Sequence, residues 1–262
     1  MRVIEFDSPE SSAELVANEI LSALAQKPDL VLGLATGSTP IGVYQRLVAA
    51  KREGRADFSQ VRTFNLDEYV GLSAEHPQSY RYFMREQLFA EAGIPEEHVH
   101  FPPTELEGLA AACAAYEAAI RDCGGIDIQI LGLGSNGHIG FNEPTSSLAS
   151  RTRLKTLASK TIEDNARFYS PGEEQPQLAT TMGIGTIMDA KCILLQAFGQ
   201  KKAPAVHAAI EGAISSFCPA TVLQMHPHVS FLLDADSASL LTMRDYYRRV
   251  RENELRLQQP QH

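Results

Sequence analysis

Short runs rich in Val, Ile and Leu recur along the chain, each separated from the next by a longer stretch whose apolar positions follow a helical period. The runs are Arg2–Phe6, Leu30–Ala35, Val61–Asn65, Asp127–Gly132, Cys192–Phe198 and Val229–Leu233. Most lack the alternation of a half-exposed strand, so they read as strands covered on both faces. Ser8 suits a helix N-cap, Pro9 the first helical position, and Glu10 the positive end of the helix dipole. Pro40 opens a second helix reaching about Glu53. Further helices fit Ser79–Ala92, Leu106–Cys123, Lys202–Glu211 and Leu240–Glu252.

This alternation predicts an α/β fold: an open, mostly parallel sheet with helices on both faces, a Rossmann-like arrangement of three layers. With neither repeat nor linker, residues 1–262 read as a single domain. Ser170–Gln177 is Pro- and Glu-rich and reads as a surface loop. Ligands of such sheets sit at the carboxyl ends of the strands, so the segments that follow the strands carry the functional signal.

Three such segments stand out. The first, LGLATGSTP at Leu32–Pro40, puts Thr36, Gly37, Ser38 and Thr39 between a strand and a helix. Free N–H groups and the dipole favour an anion there, although an ordinary tight turn would use the same residues. The second, FNLDEYVG at Phe64–Gly71, ends a strand on two carboxylates. Successive strand residues face opposite ways, so one of Asp67 and Glu68 can face a cleft as a general base. The other readings are that Asp67 caps a turn and that Glu68 is solvated.

The third, ILGLGSNGHIGFNEP at Ile130–Pro144, encloses Asn136 and His138 among four glycines, with Asn142 and Glu143 following. Gly132, Gly134 and Gly137 match G-x-G-x-x-G. A dinucleotide site also needs a helix directly afterwards and an acidic residue about twenty positions on. Pro144 interrupts the helix, and Leu154–Lys160 holds no Asp or Glu. His138 with Glu143 five residues on is instead an acid–base unit in which a carboxylate orients an imidazole.

Composition narrows the classes. The chain has 262 residues, 44% of them apolar, which is ample for a large core. No run approaches the roughly 20 apolar residues of a membrane span, and the N-terminal segment lacks a secretory pattern. Four scattered cysteines (Cys113, Cys123, Cys192, Cys218) fit free thiols in a reducing compartment, so the expected location is cytoplasmic. Net charge is −9 without a long basic run, which argues against a nucleic-acid partner but not against a small anion. Arg167, Lys201 and Lys202 are the candidate cations for such an anion. His226-Pro-His228 lacks a third ligand and reads as a loop between strands, so no metal is expected.

TGSTP, FNLDEYVGL, GLGSNGHIGFNEP, SLASRTRLKTL and FGQKKA, in this order and over nearly the whole chain, resemble the glucosamine-6-phosphate deaminase family. The resemblance implies a hydrolase of amino-sugar metabolism that forms fructose 6-phosphate and ammonia from glucosamine 6-phosphate, without metal or organic cofactor. It implies Asp67 as the base moving a proton between C2 and C1, with His138 assisting ring opening and Glu143 supporting it. Asn136 stands where some members have Asp. The resemblance also maps phosphate contacts to Gly37, Ser38, Thr39, Arg167 and Lys202, beside Thr36 in the same turn. Some members are hexamers activated by N-acetylglucosamine 6-phosphate. Ser146, Arg153, Lys155 and Thr156, in the loop Ser146–Thr156, match the activator contacts. The rival readings are a 6-phosphogluconolactonase-like or ketose-forming enzyme, and a non-catalytic sugar-phosphate sensor.

Overall fold

The computed structural model describes residues 1–158, 162–163 and 175–258. Its strands are β1 (Arg2–Phe6), β2 (Val31–Leu34), β3 (Arg62–Asn65), β4 (Asp67–Tyr69), β5 (Val99–His100), β6 (Ile128–Gly132), β7 (Arg153–Thr156), β8 (Leu178–Thr181), β9 (Cys192–Ala197) and β10 (Val229–Asp234). Seven of them form a wholly parallel sheet in the order β1-β10-β9-β6-β2-β3-β5. Neighbouring side chains along each central strand enter different cores. Leu32, Leu34, Leu194 and Leu232 pack with Val16, Ile20, Val43 and Leu47 of two helices on one face. Val31, Ile193, Leu195, Phe231 and Leu233 pack with Tyr116, Ile120 and Val206 on the other. Each fully buried side chain of this kind contributes about 1.5–3 kcal/mol, which explains the nearly continuous apolar runs.

Helix starts follow local chemistry. Ser8 accepts the N–H of Ser11 at 3.2 Å, with Pro9 opening the helix Pro9–Gln26. Ser79 caps Tyr80–Met84, beyond which the chain widens into a π-turn over Arg85–Phe89 rather than continuing as a plain α-helix. The last helix, Arg244–Gln258, begins later than the pattern predicts. The Glu211 carboxylate accepts the N–H groups of Thr242 and Met243 and holds the preceding residues in turns. Among the described residues, no helix is long and apolar enough to cross a membrane.

The sequence pattern misses a second sheet of three antiparallel strands, β4-β8-β7. Its members read DEY, RLKT and LATT, too short and too polar to stand out as strands. The segment expected as a loop over Ser146–Thr156 is therefore a loop only in its first part, and Arg153–Thr156 is strand.

From β2 the chain continues to β3 on one side of the sheet, and from β6 to β9 on the other. The adjacent pair β2 and β6 is thus a topological switch point, where a crevice opens at the carboxyl ends. The two strands interlock. Gly33 lies opposite Gln129, and a Cβ at Gly33 would collide with the Gln129 side-chain amide. That amide donates to Ile130 O at 2.9 Å and is fully buried.

Candidate active site

The connections leaving β2, β3, β6 and β9 all lie at the carboxyl edge of the sheet. After β2, the buried Tyr44 hydroxyl donates to Ala35 O at 2.5 Å, tying the strand end to the helix Ile41–Arg52. Gly37 sits in the left-handed region at φ 102°, which turns the chain sharply before the helix. Gly37 and Ser38 are exposed. The N–H groups of Gly37, Ser38 and Thr39 meet no acceptor among the described residues. Such donors ahead of a twelve-residue helix are an arrangement that favours an anion. After β9, Lys202 precedes the helix Ala203–Glu211 at the same edge.

After β3, Leu66 N–H bonds Leu34 O at 3.0 Å, and the chain enters β4, where Asp67 pairs with Thr181 of β8. Asp67 is only 6% exposed. Burial pushes its carboxyl up to about 8, the neighbouring Glu68 charge adds to this, and the N–H of Phe141 opposes it. The same N–H points at Thr181 Oγ1, 3.1 Å away. Glu68 is buried too, contrary to the solvated alternative. Its carboxylate accepts the N–H groups of Tyr69 (2.8 Å), Tyr80 (3.0 Å) and Arg81 (2.8 Å). Burial holds the Glu68 carboxyl above its ordinary pKa against the pull of these bonds.

After β6 the chain folds into a tight loop, with Gly134 N–H on His138 O at 2.9 Å and Gly137 N–H on Gly134 O at 3.0 Å. No helix follows Gly137, so the dinucleotide geometry is absent. His138 Nδ1 is buried without a hydrogen bond and lies 3.5 Å from Glu143 Oε2, while the ring remains 24% exposed. Asn136 donates from Nδ2 to Glu143 Oε2 at 2.9 Å and accepts the backbone N–H of His138 at 3.2 Å. It therefore holds the main chain and the carboxylate rather than the imidazole. Asn142, fully buried, donates to Ile139 O and Met182 O and accepts from Arg153 Nη1 at 2.9 Å.

The loops meet at Asp67. Its carboxylate bonds Phe141 N–H, and Gly140, two residues from His138, packs against its Oδ2. The loop that carries His138 and Glu143 thus reaches Asp67 through Gly140 and Phe141. Of the other expected residues, Ser146 is buried, and Thr156 is exposed on β7. Arg153 and Lys155 alternate with exposed Leu154 and Thr156. The Lys155 amine is held below its ordinary range by burial and by Arg153, and Glu143 opposes that shift. Arg167 lies outside the described residues, as does most of Ser170–Gln177. His226 Nε2 donates to Ala190 O at 2.7 Å, as a loop histidine would.

Sequence reasoning overlooked Tyr80, Thr181 and Glu117. Glu117, buried in the helix Leu109–Asp122, accepts from Arg151, Thr152 and Thr186 and anchors the approach to β7. A lone Glu in an Ala-rich helix carries no motif that signals this role.

The chain matches the family model described as glucosamine-6-phosphate isomerases/6-phosphogluconolactonase over residues 7–231. It is 55% identical to a glucosamine-6-phosphate deaminase of Shewanella loihica over 97% of this chain and 96% of that one. It is also 55% identical to the enzyme of that name from Hahella chejuensis over 98% of each. A solved structure of a monomeric glucosamine-6-phosphate deaminase superposes with a TM-score of 0.88 at 41% identity, over 92% of this chain and all of that one. The 6-phosphogluconolactonase of Trypanosoma brucei shares the fold, with a TM-score of 0.72 at 22% identity, over 92% of this chain and 98% of that one.

Proposed function

Because the chain belongs to the glucosamine-6-phosphate isomerase/6-phosphogluconolactonase family, we propose that it is the enzyme that converts glucosamine 6-phosphate to fructose 6-phosphate and ammonia. The observation that carries this reading is the buried Asp67 carboxylate against the Gly140–Phe141 backbone, next to the paired His138 and Glu143.

In this reading His138, oriented by Glu143, moves the proton needed to open the sugar ring. Asn136 steadies both by bonding the Glu143 carboxylate and the His138 main chain. Asp67 in its ionised form takes the C2 proton of the open chain and returns it at C1, leaving an imine at C2. Water adds to that carbon, ammonia leaves, and the ketose remains. Thr36, Gly37, Ser38, Thr39, Arg167 and Lys202 are the proposed phosphate contacts, which hold C1 and C2 near one carboxylate. Ammonia and fructose 6-phosphate measured together from glucosamine 6-phosphate test the reading. A lactonase would release neither and would hydrolyse only its lactone, and a sensor would do nothing to either compound.

Ser146, Arg153, Lys155 and Thr156 remain candidate contacts for an activating N-acetylglucosamine 6-phosphate, supported by the closeness of Arg153 and Lys155 on β7. Sigmoidal kinetics made hyperbolic by that compound would support activation, and curves it leaves unchanged would refute it. The resemblance implies a cytoplasmic hexamer, whereas the 41% identical relative is a monomer. Sedimentation of the purified chain decides between the two assemblies.

A further inference from the structure

Beside Asp67 lies a group of aromatic rings that the proposed chemistry leaves unused. The Tyr80 ring packs on Tyr69 with centroids 4.8 Å apart and stacks on Phe141 at 6.0 Å. Its hydroxyl donates to Tyr69 Oη at 3.2 Å and shares a hydrogen bond with Thr36. One phenol therefore spans from the loop after β2 to the strand that carries Asp67. Its backbone is fixed as well, because the Glu68 carboxylate accepts the N–H groups of Tyr80 and Arg81 at the start of their helix. A buried carboxylate on helix N-terminal N–H groups is a strong clamp, since charge-assisted bonds act there with the dipole in a dry setting.

We propose that Tyr80 is a positioning residue for the proton transfer, clamped by Glu68 so that its phenol sets the spacing between the phosphate-side loop and Asp67. The inference rests on Asp67 acting as the base. A merely structural tyrosine would depend chiefly on its ring, which packs on Tyr69 and Phe141. The oxygen instead joins two loops that hold opposite ends of a bound sugar phosphate. A small shift between them changes the approach to C1 and C2 without weakening the phosphate contacts.

The test measures ammonia release from glucosamine 6-phosphate by the unmodified enzyme, Tyr80→Phe and Glu68→Gln. Tyr80→Phe keeps the ring. Its kcat is expected to fall at least tenfold with KM changed less than threefold and the melting temperature kept within a few degrees. Glu68→Gln removes one negative charge beside Asp67, so the acidic limb of kcat/KM moves to lower pH. The other groups shown to act on Asp67 are unchanged in that variant: the Tyr80 and Tyr116 phenols and the Phe141 N–H. A kcat for Tyr80→Phe within twofold of the unmodified enzyme overturns the inference, as does an acidic limb that stays in place in Glu68→Gln. If the unmodified enzyme itself releases no ammonia, the functional reading fails and takes this inference with it.

Discussion

Gly140 touches Asp67: a Cβ at Gly140 would stand 3.2 Å from Asp67 Oδ2 and 3.0 Å from Thr181 Oγ1. Its φ of 56° adds strain for any L side chain, roughly 1–2 kcal/mol. Gly140→Ala should therefore displace the carboxylate or the loop beside it. The expected result is a kcat at least tenfold lower with KM for the sugar phosphate nearly unchanged. Steady-state ammonia release with a melting curve checks this, and unimpaired turnover would show that the contact is soft.

Asp67→Asn should abolish nearly all turnover while leaving phosphate binding intact, because the amide accepts no proton. Its effect on stability has a defined sign. The folded state holds this proton to about pH 8, far above the ordinary carboxyl value of 3.8. The proton's contribution to stability is therefore complete below the ordinary value and lost as pH rises through 8. The amide variant should melt above the unmodified protein at pH 9, and the gap, on the order of a few kcal/mol, should close towards pH 4. A gap constant with pH would contradict the buried acid.

The same carboxyl fixes the pH profile of catalysis. A base must be ionised, so kcat/KM should climb with pH along a limb centred about pH 8. Initial rates at saturating and subsaturating substrate from pH 6 to 9 would show it. A rate that is flat or falling across this range removes Asp67 as the base.

Lys202→Ala should raise KM about tenfold with kcat within twofold, the pattern of lost uniform binding. An unchanged KM takes Lys202 out of the phosphate site.

Glu117→Ala should be the most destabilising of these changes. Burial alone would raise the Glu117 carboxyl, yet bonds from Thr152, Thr186 and Arg151 hold it below its usual range. Removing it strands the buried Thr152 and Thr186 donors at a cost of about 1–3 kcal/mol each, while Arg151 is exposed and keeps Asp189 as a partner. Urea denaturation monitored by circular dichroism measures the loss, and a change below 1 kcal/mol would mean the donors find water instead.

Much of this architecture was legible in the chain because burial on two faces leaves an unmistakable apolar signature. The six expected strands correspond to β1, β2, β3, β6, β9 and β10, each within a residue or two at its ends. Strand β5 is two residues long, and β4, β7 and β8 carry the polar side chains of a site wall, so periodicity was blind to them. The loops around Thr36, Asp67 and His138 could be located from strand ends and glycine density. Tyr80, Thr181 and Glu117 could not, because partners such as Thr36, Phe141, Arg151 and Thr186 lie 34 or more residues away. Asn136 illustrates the limit from another side: its place in the loop could be read, but its partners could not.

The interlock of Gly33 with Gln129 also bears on how such a chain can change over time. A bulkier residue at 33 has nowhere to go while the long amide occupies the space, and a shorter residue at 129 would leave a void beside bare glycine. The two positions can drift only as a couple, so relatives that lose one should have replaced the other. Because these strands feed the two loops at the crevice, a change at either position would be felt where those loops leave the sheet.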